Sequence, residues 1–433
     1  MRAPLALLIY LACAVVPMLR PADGIGLYIL IAAVRPTNIT WGLWLAGGRY
    51  SIAVLGMILV AWGLRAGKLK PRWGTFNLLL LVFIAQCIIS RTFAIDAFAA
   101  KLQFDLLVIP MVVSIILVQV VRTEDQIYRT IWFMAIGLGF LGSWALWKSH
   151  FTIYYQLEAD GELMGPGGQL VDRNDFGLGL NMVVPLLFYL AMITKRIWAK
   201  IIAFVSLGPV AITILETGSR GAFLALGAIG VYILYKMHHK KWLWAMTIVA
   251  IFGGLSVLPP EQLERIRGLG GAADNDASAQ GRIVSWRASM EMARQNPLTG
   301  VGLGCFTVDF FRYAPQARVA LVAHSSFFQI LGTAGYPGAA LWVLCLLRFW
   351  QVSSRLESQL RRARMKGTRL HYMVLALKTS LIGYVIAGAF LSQEDLEFFY
   401  YEVGLVASLD AVVRAEIKKL RSTEEADLAA SPA

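Results

Sequence analysis

The chain has 433 residues, 58% of them hydrophobic and only 15% charged, where a soluble chain would be about one-quarter charged. Its formal net charge is +13, but the basic residues gather in short stretches between apolar runs, and no folded basic domain with interleaved aromatics is present to bind nucleic acid. Runs such as "TFNLLLLVFIAQCIIS", "TIWFMAIGLGFLGSWALW", "FGLGLNMVVPLLFYLAMIT" and "WLWAMTIVAIFGGLSVLPP" approach or exceed the ~18–20 residues that span hydrocarbon as a helix, and the alternating strands of a barrel are absent, so the fold class is all-α and polytopic, a single membrane domain over 1–433.

The N-terminus carries a basic residue and an apolar run without a convincing small-residue cleavage site, which reads as a retained first helix. "LALLIYLACAVVPML" and "GIGLYILIAAV" are each short, with Arg20, Pro21 and Asp23 between them. Two tilted helices or one broken crossing fit equally, giving about twelve spans, or thirteen. From there basic clusters at Arg65 to Arg72, Arg122 to Arg129, Lys195 to Lys200, Lys236 to Lys241, Arg348 to Arg369 and Lys418 to Arg421 mark the cytoplasmic side. Two apolar runs separate successive clusters, and the joins between them, among them Glu216 to Arg220 and Gln393 to Glu397, face outward. The tail, 414–433, is cytoplasmic and is expected to lose order beyond Leu420.

Two outward joins stand apart. Trp147 to Arg173 contains "GELMGPGGQLVDRND". Pro259 to Ala320 (259–320) is far longer than an ordinary connection and is expected to be functional. Within it "SAQGRIVSWRASMEMARQNP" places Ile283, Trp286, Met290 and Ala293 at helical spacing before an Asn296-Pro297 stop, which predicts an amphipathic helix lying on the outer membrane face.

Basic residues on the outer side run against the positive-inside bias. The long loop holds Arg265, Arg267, Arg282, Arg287, Arg294, Arg312 and Arg318 and no lysine; Arg173 and Arg220 each open an apolar run. A guanidinium fork matches two phosphate oxygens at once. Pairing with Glu261, Glu264, Glu291 and Asp309, or contact with anionic lipid, is the competing account of any one of them. Arg220 starts a helix inside the membrane boundary, where a charge needs a partner and the helix N-terminus adds to anion attraction.

Among the histidines, His238, His239 and His371 fall in basic, cytoplasmic stretches, and His150 ends a span as an interfacial polar residue. His324 alone starts a span directly after the arginine-rich loop. It is either the polar end of a helix or a neutral imidazole that removes a proton, its pKa held down by nearby guanidinium groups. Cys13, Cys87, Cys305 and Cys345 suggest neither a disulfide framework nor a metal site. The glycine clusters lack the lysine and strand–helix context of a phosphate loop, so no nucleotide site is supported. Asp172 and Asp175 could hold a metal, but capping or pairing with Arg173 is the simpler reading; no cofactor and no metal are expected.

"TGSRGAFLAL", "GRIVSWRASMEMARQNPLTGVGLGCF" and "AHSSFFQILGTAGYPGAALW", in this order around a long outer loop, resemble the O-antigen ligase and polymerase superfamily. "VRPTNITWG" and "GPGGQLVDRNDFGLGLNMVVPLLFYL" are similar to its exosortase-associated O-glycosylation ligase branch. The resemblance runs from about Val34 to Phe390. It implies a membrane glycosyltransferase of the C-type fold in the bacterial inner membrane, which moves a glycan from undecaprenyl pyrophosphate to an acceptor on the periplasmic face; for ligases the acceptor is the lipid A–core oligosaccharide. By motif the essential histidine falls on His324 and the diphosphate-binding arginines on Arg220 and Arg282, with Arg173 and Arg265 as weaker additions. The implied chemistry is metal-independent and inverting. Ligase and polymerase share these motifs, an O-glycosylation ligase would use another acceptor, and a lipid-linked glycan flippase would also account for many spans and internal arginines.

Overall fold

A computed structural model describes residues 11–13, 15–34, 50–64, 70–151, 163–165, 167–237, 240–241 and 277–430. Among these residues the chain is helical throughout, with one isolated β-bridge between Gly167 and Leu170. In chain order the helices are α1 (Pro21–Val34), α2 (Tyr50–Gly63), α3 (Thr75–Thr92), α4 (Ala97–Val120), α5 (Glu124–Phe151), α6 (Arg173–Ile193), α7 (Ile197–Glu216), α8 (Arg220–Lys236), α9 (Ala277–Gln295), α10 (Phe310–Tyr313), α11 (Ser326–Arg362), α12 (Arg369–Gly388) and α13 (Glu397–Ala430). Seven of them, α3 to α7, α11 and α12, are long and apolar enough to cross a membrane; α1 and α2 are apolar but shorter. The run after Lys241, expected as a further span, lies outside the described residues, as do Arg265, His238 and His239.

The centre of the bundle is α6. Every residue from Phe176 to Ala191 is buried, as befits a helix apolar all round. It is wrapped by α5, α7, α8 and α12. By contrast α7 buries only Ala203, Val210, Thr213 and Ile214 and leaves Ile197, Trp198, Ile202 and Val205 exposed. A helix with one packed stripe and an otherwise apolar surface suits contact with lipid chains.

The long helix α11 is broken at Gly335, whose φ of 67° and ψ of −171° interrupt the helical ladder. Pro337 follows two residues later and cannot donate to the carbonyl one turn back. The freed carbonyls are taken up by α3: Ser90 Oγ donates to Thr333 O (2.8 Å) and Gln86 Nε2 to Ala334 O (3.0 Å). The loop after α9 docks in the same break, with Tyr336 N donating to Pro297 O (3.0 Å) and Val301 N to Gly332 O (2.9 Å). A Cβ on Gly300 would lie 2.4 Å from Gly332 O, so this part of the "GVGLG" stretch serves a close backbone approach.

The expected amphipathic helix exists as α9, and the apolar positions that set its spacing divide, Trp286 and Ala293 packing inward and Ile283 and Met290 not. Ser285, Ala288, Ser289, Met292 and Ala293 are buried, whereas Ile283 and Met290 are 46% and 47% exposed. The helix leans on α11 and joins a small cluster with Val301, Cys305, Phe306 and Phe310. Small side chains allow the close approach, and Ser289 Oγ donates to Phe328 O. The tail also departs from expectation: α13 remains helical to Ala430, past Leu420, where Arg421, Glu424, Glu425, Ala426, Leu428, Ala429 and Ala430 are all good helix formers.

Candidate functional site

At one end of the bundle, α6, α8 and α11 all begin, and each start carries a residue singled out by the sequence. Asp172 caps α6, its Oδ1 accepting from Asn174 N at 2.7 Å and Asp175 N at 3.4 Å, so Arg173 is the first helical residue. Ser219 caps α8 through Ala222 N at 3.3 Å, and Arg220 is first there. The two helices touch closely: a Cβ on Gly177 would meet that of Ala222 at 2.8 Å, and Asn181 Nδ2 donates to Gly177 O (2.9 Å) and Ala222 O (3.0 Å). Arg173 Nη1 reaches Thr217 O at 3.3 Å, bringing it to the turn that leads into Arg220. Arg220 itself is exposed. Paired helix N-termini with arginines at their first positions favour an anion.

His324 lies two residues before α11, half-buried, with a φ of 47°. This left-handed conformation costs a non-glycine residue roughly 1–2 kcal/mol, so the neighbouring contacts must hold it. They do so on both sides. Trp286 Nε1 donates to Ala323 O (2.9 Å), its ring stacked on Phe328 at 4.9 Å, and Ala323 N donates to Gln329 Oε1 (3.1 Å). Beyond His324, Ser326 Oγ donates to Leu391 O (2.7 Å) and accepts from Gln393 N (3.0 Å). Backbone strain of this kind gathers at sites where a side chain must point one way.

The charges facing His324 are Arg282, from α9, and Asp172. Burial pushes the imidazole pKa below its ordinary value, Arg282 lowers it further, and Asp172 opposes both. The imidazole is therefore neutral near pH 7 and can accept a proton. Asp172 thus both caps α6 and sits near the imidazole, a placement that sequence separation hides.

The segment between α12 and α13 closes the site from below. Phe390 lies against Gly221, 3.3 Å from where its Cβ would be, and Leu391 and Gln393 hold Ser326. One segment thus touches residues next to Arg220 and next to His324. Glu394 and Asp395 are buried, Asp395 accepting from Gln103 Nε2 (3.1 Å), and Gln169 Nε2 donates to Asp395 O (3.1 Å). Burial pushes both carboxyls above the usual range, with Asp395 adding to the rise at Glu394 and Glu397 to that at Asp395. Asp175 lies near Asp172, Asp395 and Gln393. Sequence reasoning treated this stretch as a mere join; its signal was three acids within "QEDLE".

The remaining candidates separate. Arg294 pairs with Glu291 (2.6 Å) and Arg312 with Asp309 (3.9 Å), the pairing account given for them above. His150 Nε2 meets Glu216 Oε1 at 2.7 Å. Among the described residues no group of three or more His, Cys, Asp or Glu is arranged to hold a metal ion.

Two family models match the chain. Residues 206–343 match the O-antigen ligase model, a stretch that includes Arg220, Arg282 and His324 and excludes Arg173. Residues 1–146 match a family of unknown function. No curated protein matches.

Proposed function

We propose that the chain, whose residues 206–343 match the O-antigen ligase family and support its place in that superfamily, transfers a glycan from undecaprenyl pyrophosphate to a hydroxyl of the lipid A–core oligosaccharide on the periplasmic face of the bacterial inner membrane. The observation that carries this reading is the neutral, conformationally held His324 facing Arg282, at the end of the bundle where Arg173 and Arg220 begin their helices.

A glycosyl diphosphate already holds a good leaving group, so the site needs chiefly to grip the diphosphate and activate the acceptor. His324 takes the proton of the acceptor hydroxyl. That oxygen forms the new bond to the anomeric carbon as the bond from this carbon to the phosphate oxygen breaks, on the opposite face, which inverts the centre. Undecaprenyl pyrophosphate leaves with the electron pair. Arg220 and Arg282, with Arg173 and Arg265 in support, offset the charge growing on it.

Purified protein supplied with lipid-linked glycan and lipid A–core tests the proposal. New glycan on the core is the expected result, unchanged in excess EDTA because arginines do the work of a cation. Lengthened carrier-linked chains instead would make it a polymerase, which the same family includes, and product on neither would favour transport of the lipid-linked glycan. Loss of activity on chelation, restored by Mg²⁺, would redirect the chemistry to Asp172 and Asp175.

A further inference from the structure

Far from His324, a pocket of about 200 Å³ lies between the start of α3, the last turn of α4 and the flanks of α11 and α13. Arg348, on its wall, stands 22 residues along α11 from Ser326, or roughly 33 Å of helix. Four arginines line it, Arg72, Arg348, Arg355 and Arg414, against one carboxylate, Asp410. Asp410 is already shared by Arg355 (2.8 Å) and Arg414 (2.6 Å). Arg72 and Arg348 have no carboxylate partner among the described residues. Arg348 Nη2 reaches only Thr75 Oγ1 (3.4 Å) and Arg72 Nη2 only Arg122 O (3.5 Å). Arg72 Nη1 and Arg348 Nε are buried and donate to nothing among the described residues.

The floor of the pocket adds further donors. Helix α3 opens after Gly74, which offers no side-chain cap, so the first-turn N–H groups of an 18-residue helix await an acceptor. The loop is built in advance: Gln119 grips Arg72 on both main-chain groups, accepting from its N and donating to its O, each at 2.8 Å, and Asn77 Nδ2 donates to Arg72 O at 3.0 Å. Burial and the nearby Arg122 guanidinium both push the Arg72 pKa down, the mark of a cation short of countercharge. Trp73, beside it, is 67% exposed, as ring side chains at a membrane–water interface are.

We propose that this pocket binds a phosphate group, at the end of the bundle opposite the transfer site and independently of it. Two guanidinium groups without a carboxylate partner among the described residues, an uncapped helix start and a cavity too small for a nucleotide suit a phosphodiester or phosphate. The group arrives either on an anionic phospholipid, with its glycerol lying toward Trp73, or as free phosphate.

Delipidated full-length protein in detergent distinguishes these sources by native mass spectrometry and thermal unfolding. Phosphatidylglycerol is expected to persist as a one-to-one adduct and raise Tm, with phosphatidylcholine doing neither. R72Q/R348Q should cut adduct formation about tenfold or more, since hydrogen bonds to a charged group are worth ~1.5–3 kcal/mol each. Stabilisation by millimolar inorganic phosphate without retention of phosphatidylglycerol would assign the site to the free anion. The proposal is overturned if neither probe binds wild-type protein, or if binding survives R72Q/R348Q intact. Should that variant not fold, wild-type protein still decides: free exchange of phosphatidylglycerol for phosphatidylcholine, with no effect of phosphate, sinks the site.

Discussion

His324 carries two separable properties, a fixed direction and a depressed pKa, and each has its own test. If the imidazole is the base, His324→Ala should cost on the order of 10²–10⁴ in rate while undecaprenyl pyrophosphate still binds, because arginines hold the diphosphate. Only neutral imidazole accepts a proton, so the rate should fall as pH drops through the lowered pKa, on the acid side of 6.5. After burial, Arg282 is what lowers this pKa, against the opposing Asp172. Arg282→Ala should therefore weaken donor binding and also move the acid limb of the residual activity to higher pH; a limb that stays put would separate Arg282 from His324. Arg220→Lys should be impaired along with Arg220→Ala, since a point charge does not replace the fork; full activity in Arg220→Ala would remove Arg220 from the site, and full activity in Arg220→Lys alone would mean that charge without the fork suffices. His150→Ala should leave transfer unchanged, its partner Glu216 lying before the turn rather than on it. At this scale the sequence identified the residue types but not their company. His324 was legible because it follows an arginine-rich loop; Asp172 near it was not, since 152 positions separate them and only the folded chain brings their charges within reach of each other.

The helices were legible as apolar runs, and their faces were not. In a water-soluble helix the apolar stripe marks the core, but in lipid an apolar residue is equally at home outside. That is why the four apolar positions of α9 divide, Trp286 and Ala293 packing inward and Ile283 and Met290 staying exposed, while Ser285, Ala288 and Ser289 complete the contact. Close approach is the better signal, and Gly335 combines it with a backbone conformation only glycine takes easily. Its φ and ψ lie in a region reserved for glycine, and a Cβ there would sit 2.6 Å from Pro297 O. Gly335→Ala should destabilise the protein by about 1–3 kcal/mol and reduce transfer, because the first half of α11 positions His324. Gly367 also has positive φ, but a Cβ there meets nothing within 4 Å. Gly367→Ala should be the milder of the two in thermal unfolding, and equal losses would mean that the docking at the α11 break contributes little.

For the whole molecule the proposal depends on sidedness, which rests on charge asymmetry alone. Helix α6 carries the chain from Arg173, near His324, to the basic turn at Lys195, about 30 Å away at 1.5 Å per residue. Arg318 and Lys195 are both exposed and lie toward opposite ends. Cys13, Cys87, Cys305 and Cys345 are all buried and unpaired, so the native chain should react little with a membrane-impermeant maleimide. Cysteines introduced singly at these two positions then report the orientation in spheroplasts. Arg318→Cys should label from outside, and Lys195→Cys only after the membrane is opened. The reverse pattern would put His324 on the cytoplasmic face, where an acceptor already carried to the outside could not reach it. Labelling of both from outside would mean that α6 does not cross. Either result would end the reading as a periplasmic ligase while leaving the helix packing and the phosphate pocket as they are.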